Sequence, residues 1–258
     1  MEYETIALSK LNGVYTAIFN RPEERNSMTG QFMADLNKML DDAENDSACK
    51  VVIFAGTGGF FSTGMDFNEA SESGFVDDIE VVKKGKKVYS DTIKRISLFP
   101  KYIISKVDGQ VMAGGIGIIA ASDLVLSTPR SQFSLSEAIW GLLPCMVMPY
   151  LIRRVGFQNA YRMTLTTIPV DVEKALSMNL VDDAEEKIDN LLRKYLLRIM
   201  RLSGKTITVA KEYFRKLWII NEEMEQLAID QIATLEFDPE VRNNINNFIK
   251  YNKFPWEK

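Results

Sequence analysis

Between residues 103 and 144 the chain reads IISKVDGQVMAGGIGIIAASDLVLSTPRSQFSLSEAIWGLLP. A strand-like apolar run, Ile103 to Val107, is followed by the segment Ala113-Gly114-Gly115. Adjacent glycines after a strand let backbone N–H groups point into a cavity with no Cβ in the way. A lone carboxylate, Glu137, comes further along in Phe133-Ser-Leu-Ser-Glu137, before an apolar run. The pattern indicates an anion hole that faces a general acid/base.

Outside this stretch, apolar residues alternate between strand spacing and helix spacing. Thr5 to Leu8 and Val14 to Phe19 flank Asn12-Gly13, which is a strong hairpin signal. Val51 to Ala55 is a short apolar run of the kind buried in a parallel sheet. The alternation predicts an α/β protein whose sheet is covered by helices. Because the sequence after residue 190 is almost wholly helix-favouring, we divide the chain into a core at 1–198 and a C-terminal helical region at 199–258.

Composition limits the class of protein and its partners. The chain has 258 residues, of which 46% are apolar and 26% charged, as in globular proteins. No apolar run approaches the roughly 20 residues that span a bilayer, and the acidic start is unlike a signal peptide. We therefore expect a cytoplasmic protein that does not bind membranes. The net charge of −4 argues against non-specific nucleic-acid binding.

The absence of histidine narrows the chemistry. Imidazole is the usual base of Ser and Cys hydrolases and the usual zinc ligand. The sequence also contains no GxGxxG, no P-loop and no paired CxxC motif. Proton transfer must therefore come from Glu, Asp, Lys, Tyr or Cys, and we expect no metal and no cofactor. Cys49 and Cys145 are expected to be reduced thiols.

Several short segments follow one another along the chain in a specific order and spacing, although each motif alone is weak. They are Phe19-Asn-Arg-Pro22, Asn26-Ser-Met28, Val52-Ile-Phe-Ala-Gly56, Phe61-Ser-Thr-Gly-Met-Asp66, Val107-Asp-Gly109, Ala113-Gly-Gly115, Ser122-Asp123, Phe133-Ser-Leu-Ser-Glu137, Gly141-Leu-Leu-Pro144 and Arg154-Val-Gly156. In these segments the chain resembles the crotonase (enoyl-CoA hydratase/isomerase) superfamily over nearly its whole length. The resemblance implies a ββα superhelix core with a C-terminal helical region that assembles trimers or hexamers.

Within the superfamily, several segments look like the dehydratases of polyketide β-branching cassettes of the bacillaene type. These segments are Phe133 to Cys145, Pro149 to Gly156, Met163-Thr-Leu-Thr and Phe254-Pro-Trp-Glu257. Such enzymes remove water from a 3-hydroxy-3-methylglutaryl group carried on an acyl carrier protein, giving 3-methylglutaconyl. The resemblance therefore predicts a lyase that acts on an acyl thioester, with an acyl carrier protein as partner.

The resemblance also assigns the reacting groups. It places the two oxyanion-hole donors on the backbone N–H groups of Met65 and Gly114, each worth about 3 kcal/mol to a developing enolate. It identifies Glu137 as the general acid/base. Taken alone, Ser134-Leu-Ser-Glu137 is also an S-x-x-E capping box, in which the glutamate merely caps a helix. A glycine pair likewise often serves only close packing or a turn.

One departure from the pattern leaves the reaction open. Hydratases with two glutamates carry a second carboxylate three residues after the oxyanion glycine, where this chain has Gly117. Family members with one of these glutamates include isomerases and other lyases. The alternative to the dehydratase is therefore an enoyl-CoA isomerase or hydratase that acts on an acyl-CoA. A scaffold that has lost catalysis is disfavoured because Gly114, Gly115 and Glu137 are retained.

Substrate-binding residues are predicted around these groups. Asp66 and Phe67 follow the oxyanion donor Met65, Gly115 follows Gly114, and Asp66 is expected to order the loop by accepting backbone N–H bonds. The distal carboxylate of the acyl group needs a cation. The resemblance implies that the run Lys83, Lys84, Lys86 and Lys87 borders the acyl pocket, and Lys86 is chosen from it. The competing interpretation is that this run is a solvated helix face. Other basic residues, including Arg153-Arg154, are candidates for carrier-protein or phosphate contacts.

Overall fold

The structure, a computed structural model, describes residues 3–72, 77–218 and 220–257. Its strands are β1 (Ile6–Leu11), β2 (Val14–Phe19), β3 (Val51–Gly56), β4 (Phe60–Ser62), β5 (Tyr102–Val107), β6 (Gln110–Met112), β7 (Leu124–Ser127), β8 (Gln132–Ser134), β9 (Val170–Asp171) and β10 (Asp183–Ala184). Its helices are α1 (Gly30–Asn45), α2 (Phe67–Glu72), α3 (Ile79–Leu98), α4 (Gly114–Ala121), α5 (Met148–Val155), α6 (Phe157–Thr166), α7 (Val172–Ser177), α8 (Ile188–Ile199), α9 (Gly204–Leu217), α10 (Glu222–Glu236) and α11 (Pro239–Tyr251).

The larger sheet begins with the predicted hairpin. Asn12 and Gly13 both have positive φ, at 50° and 77°, which is what a tight two-residue turn between β1 and β2 requires. The strand order is β1-β2-β3-β5-β7-β10, and every pairing after the hairpin is parallel. The predicted strand at Val51 to Ala55 lies inside this sheet as β3.

A second, smaller sheet has the order β4-β6-β8-β9. Its first three strands pair in parallel, and β9 adds to them in the antiparallel direction. Along the chain, strands of the two sheets alternate: β3 is followed by β4, β5 by β6 and β7 by β8. A helix follows each of these pairs. Each turn therefore contributes one strand to each sheet before a helix returns the chain, which produces a ββα spiral.

Both faces of the large sheet are buried, as its nearly continuous apolar strands require. On one face Val52, Phe54 and Ile103 join the main core, which also holds the buried side chains of α1 and α4. On the other face Ile53 and Ile104 pack against α8. The helix α4 is buried along its length after Gly114, so its N-terminus is fixed firmly against the two sheets.

The C-terminal helices fold back onto the core. A separate apolar cluster joins Trp140 and Leu142 of the core to Ile232 of α10 and to Val241 and Ile245 of α11. The division at residues 198 and 199 stays a prediction, and α8 ends at Ile199. Within the described parts of the chain, no helix combines the length and the hydropathy that crossing a bilayer demands.

Candidate active site

Two backbone turns meet at the N-terminus of α4. Gly64 has a φ of 82°, and a Cβ placed on it would lie 2.9 Å from the amide nitrogen of Gly114. Met65 forms a bridge with Met28, in which Met28 N donates to Gly64 O and Asp66 N donates to Met28 O. Among the described residues, no acceptor receives the amide N–H of Met65 or of Gly114. The predicted pair of donors is thus brought together and left free.

The second turn carries backbone strain. Ala113 has φ 47° and ψ −120°, a conformation that side-chain-bearing residues rarely adopt and that costs about 1–3 kcal/mol. Hydrogen bonds hold the turn in place: Ala113 N donates to Ser134 O at 3.0 Å, and Ile116 N donates to Ala113 O at 2.9 Å. Gly115 lets α4 approach β4 closely, since a Cβ there would come within 2.7 Å of Ser62 O. That Gly115 also contacts the substrate remains a prediction.

Glu137 begins a short 3₁₀ turn, Glu137–Trp140, and carries a shielded carboxylate. Its Oε2 atom is buried and has no hydrogen-bond partner among the described residues. Burial raises the pKa of the carboxyl from 4.5 to about 7, against the opposing effect of the backbone N–H groups of Glu137 and Ser136. A carboxylate with this pKa exchanges a proton readily at neutral pH.

The capping interpretation of Glu137 is wrong. Ser136 occupies the N-cap position of the turn and makes no side-chain capping bond, while Ser134 belongs to β8. Apolar residues follow Glu137 in the chain. Trp140 and Leu142 are buried, and Phe67 packs edge-on against Trp140 with ring centroids 5.8 Å apart. These side chains belong to one apolar cluster, part of which follows Glu137 closely in the chain.

Asp66 fastens the loop that carries Met65. Its Oδ1 atom accepts the N–H groups of Asn68 and Glu69 at 3.0 and 3.1 Å, and its Oδ2 atom accepts the Ser27 hydroxyl at 2.7 Å. Burial acts to raise the pKa of Asp66, but these hydrogen bonds outweigh it and the net shift is downward. The expected backbone bonds are therefore present, and they cap α2.

Lys86 reaches the same loop from α3. Its ammonium lies 3.7 Å from the Met65 sulfur and forms an ion pair with Glu236 at the end of α10. The two side chains are 18% and 17% exposed, so the pair is largely withdrawn from solvent. The structure thus places the predicted cation next to the oxyanion loop, already paired with a carboxylate.

Comparison with known proteins now gives the family. Residues 9–258 match the enoyl-CoA hydratase/isomerase family. The chain belongs to this family, the crotonases. It is 33% identical over 261 residues to the bacillaene synthase dehydratase PksH of Bacillus subtilis (strain 168), covering 99% of this chain and 97% of that protein.

Solved structures agree with this assignment. The crystal structure of the polyketide biosynthesis protein PksH from Bacillus subtilis matches with a TM-score of 0.90 at 31% identity, covering 98% of this chain and all of that one. By sequence alone, the chain is also similar to the methylmalonyl-CoA decarboxylase of Escherichia coli (strain K12), at 26% identity over 225 residues, covering 84% of this chain and 83% of that protein. The predicted crotonase fold is confirmed, and this crotonase is an enzyme of the hydratase and dehydratase class.

Two of the four lysines in this run, Lys83 and Lys86, join α3 to α10, and the other two are exposed. Lys83 pairs with Asp230 of α10 at 2.9 Å, and Lys86 pairs with Glu236. Lys87 pairs with Asp91 on its own helix at 2.8 Å. Lys84 is exposed. The solvated-face interpretation is therefore wrong for Lys83 and Lys86.

Arg153 and Arg154 anchor α5 to the core and are not free for a partner. Arg153 donates to Ala120 O at 2.7 Å and stacks on the ring of Trp218. Arg154 pairs with Asp182 at 3.1 Å and also donates to Ser122 O. Both line a cavity of about 780 Å³ at the C-terminal end of α4. That cavity includes none of the predicted catalytic or oxyanion residues.

Sequence reasoning did not place two further side chains. Tyrosine was among the residue types that could transfer a proton, and the structure puts the Tyr89 oxygen 2.6 Å from the carbonyl oxygen of Gly114. Its spacing of one helical turn after Lys86 is the signal that both side chains face the site. Cys145 is half-buried near Glu137, and burial raises the pKa of its thiol to about 11, so it stays a neutral thiol.

Proposed function

We propose that this crotonase dehydrates a 3-hydroxy-3-methylglutaryl thioester carried on an acyl carrier protein and releases 3-methylglutaconyl thioester. The observation that carries the proposal is the buried Glu137 carboxylate, whose Oε2 atom has no partner among the described residues and whose pKa is raised to about 7. Tyr89 links it to the oxyanion turn, because the Tyr89 hydroxyl donates to Gly114 O and its pKa is raised by burial and by the charge of Glu137. Similarity to the dehydratase PksH over nearly the full length supports the choice of dehydration.

The reaction proceeds in two steps with one carboxylate. Ionised Glu137 removes a proton from C2, and the electron pair moves to the thioester carbonyl, forming an enolate. The enolate then re-forms the carbonyl and a C2–C3 double bond as the C3–oxygen bond breaks. Protonated Glu137 returns its proton to the departing hydroxyl, which leaves as water. Since the carboxylate ends as it began, the balance is loss of one water from the acyl group.

The enolate forms only if its oxygen is stabilised. The N–H groups of Met65 and Gly114 supply hydrogen bonds there, and the positive end of α4 adds to them because Gly114 is its first residue. Neither donor titrates, so stabilisation persists across the working pH range. The side chain of Met65 takes no part in this step, which explains why a methionine is acceptable at that position.

We propose that the thioester arrives on the pantetheine arm of an acyl carrier protein in the cytoplasm. A thioester carbonyl provides all the activation that an enolate mechanism needs, so the proposal includes no metal ion and no cofactor of the enzyme itself. Coenzyme A presents the same thioester, and acyl-CoA is therefore the alternative form of the substrate.

Mass spectrometry of the acylated carrier tests the reaction. Incubation with the enzyme is expected to lower the mass of the acyl group by one water, and Glu137→Gln should reduce the rate at least about 10³-fold because no base remains. Glu173→Gln, an exposed glutamate on α7, is the matched control and should retain wild-type turnover. A double bond that moves in an enoyl-CoA, with no change in mass, would instead support the isomerase alternative. Unchanged turnover by Glu137→Gln would contradict the proposal.

The distal carboxylate of the acyl group is proposed to bind Lys86. Because Lys86 already pairs with Glu236 beside Met65, the carboxylate would share or displace that partner. Lys86→Met should raise KM for the 3-hydroxy-3-methylglutaryl thioester about 10-fold, equivalent to one charge-assisted contact, with kcat little changed. The same variant should leave KM for an uncharged 3-hydroxybutyryl thioester unaltered.

Two further variants control the Lys86 experiment. Lys84→Met removes an exposed lysine from the same helix and should behave as wild type. Glu236→Gln frees the Lys86 ammonium and should lower KM for the charged thioester. Equal effects of Lys86→Met on charged and uncharged thioesters would show that Lys86 does not read the distal carboxylate.

We also propose that copies of this chain assemble as a trimer or as a hexamer of paired trimers. Four large apolar side chains on and just after α6 are more than half exposed in the single chain: Phe157, Tyr161, Leu165 and Ile168. Exposed apolar groups concentrated on one helix mark contact surfaces. Sedimentation equilibrium is expected to give three or six times the chain mass, and a monomer would contradict the proposal.

A further inference from the structure

Tyr89 enters the site from α3 and touches α4 at two places. Its hydroxyl donates a 2.6 Å hydrogen bond to the carbonyl oxygen of Gly114. It also rests on Gly117, because a Cβ added there would lie 2.0 Å from the phenolic oxygen. The phenol therefore occupies the space that any side chain at position 117 would need.

The hydroxyl is a permanent donor. Burial first, and then the negative charge of Glu137, raise the pKa of the Tyr89 phenol well above its ordinary value of 10. The phenol stays neutral at any pH at which the enzyme works, so it is no alternative to Glu137 as a base. Its proton is directed at the Gly114 carbonyl, which lies in the first turn of α4.

We propose that Tyr89 is a positioning residue, whose hydroxyl holds the first turn of α4 so that the Gly114 N–H stays aimed at the substrate carbonyl oxygen. The preceding residue, Ala113, is strained, so the backbone on either side of the Gly114 N–H needs support from its surroundings. Ser134 O supports it from β8 by accepting the Ala113 N–H, and Tyr89 supports it from α3. The inference rests on the proposed enolate chemistry.

Enolate formation can be measured by itself with 3-methylglutaryl-coenzyme A in D₂O. Mass spectrometry then follows the exchange of its C2 hydrogens for deuterium. The probe has the distal carboxylate but no C3 hydroxyl, so it reports enolate formation without loss of water. Tyr89→Phe should lower kcat for exchange about 10-fold with KM unchanged, less than the 10² or more expected from removing an oxyanion donor outright. Tyr213→Phe, in which the side chain is 58% exposed, is the matched control and should exchange at the wild-type rate.

A second pair of variants tests the contact itself. Gly117→Ala would place its methyl carbon 2.0 Å from the Tyr89 hydroxyl oxygen. In Tyr89→Phe/Gly117→Ala that oxygen is absent, and the atoms nearest to the methyl carbon are Val147 Cγ2 at 3.1 Å and the ring Cζ at 3.2 Å. The double variant should therefore unfold at a higher temperature than Gly117→Ala alone. Failure of this rescue, or wild-type exchange by Tyr89→Phe, would overturn the inference. Wild-type exchange by Glu137→Gln would instead overturn the proposed function, so the two failures are distinguishable.

Discussion

Glu137 combines burial with a carboxylate oxygen that has no partner among the described residues. Buried polar atoms are normally hydrogen-bonded, because leaving one unsatisfied is destabilising. A carboxylate with a pKa of about 7 among apolar side chains is typical of a group that moves protons. The same features that suit Glu137 for catalysis make it a source of instability.

This instability has a defined pH dependence. The pKa of Glu137 is raised in the folded protein. The folded state therefore has its full stability below about pH 4.5, where the carboxyl is neutral in both the folded and the unfolded chain. Its free energy of unfolding falls as the pH rises through about 7, because the buried carboxyl then ionises. Glu137→Gln removes that ionisation and should increase the free energy of unfolding at pH 8 by about 1–3 kcal/mol. At pH 4.5 the gain should largely vanish. Urea unfolding at both pH values measures the difference, and equal gains would show that burial does not raise the pKa of Glu137.

At the scale of elements, the site depends on the contact between the turn at Gly64 and the N-terminus of α4. Sequence motifs identified both turns, because glycine at these positions follows directly from local backbone requirements. The motifs did not reveal that Ala113 is strained, that Tyr89 reaches Gly114 from α3, or that Lys86 is paired with Glu236. Those contacts depend on how a helix far away in the chain packs, and local sequence carries little information about that packing.

Gly64→Ala tests the contact between the turns. Its Cβ would lie 2.7 Å from the Ala113 Cβ and 2.9 Å from the Gly114 nitrogen, so the two oxyanion donors must move apart. Activity should fall about 10²-fold, as a displacement near 1 Å in a catalytic group often does. Gly59→Ala is a matched control, because its φ of 79° imposes similar backbone strain while no atom lies within 4 Å. Equal losses of turnover in the two variants would attribute the effect to strain alone.

At the scale of the whole molecule, the C-terminal helices complete the site. The helix-favouring sequence after residue 190 predicted these helices correctly, but it did not show what they contact. Ile232 of α10 packs with Trp140, three residues beyond Glu137, and Lys86 pairs with Glu236 of α10. The apolar side chains near Glu137 thus depend on a region distant in sequence.

An ion cluster attaches α10 to the core. Glu225 accepts from Lys94 of α3 at 2.6 Å and from Arg215 of α9 at 2.5 Å, and its side chain is 11% exposed. Glu225→Gln leaves two cations without their carboxylate and should reduce the free energy of unfolding by about 1–3 kcal/mol. Glu223→Gln alters an exposed glutamate in the same first turn and should have little effect. Urea midpoints measure both, and matching values would show that the cluster does not fasten α10.

A crystal structure of the enzyme with an oxygen-ester analogue of 3-hydroxy-3-methylglutaryl-pantetheine tests the central claim most directly. We predict that the carbonyl oxygen lies 2.7–3.1 Å from the amide nitrogens of both Met65 and Gly114, as an oxyanion hole requires. The Glu137 carboxylate should then face C2 of the acyl group. A carbonyl oxygen bound away from both amides, or a Glu137 side chain turned from C2, would contradict the account.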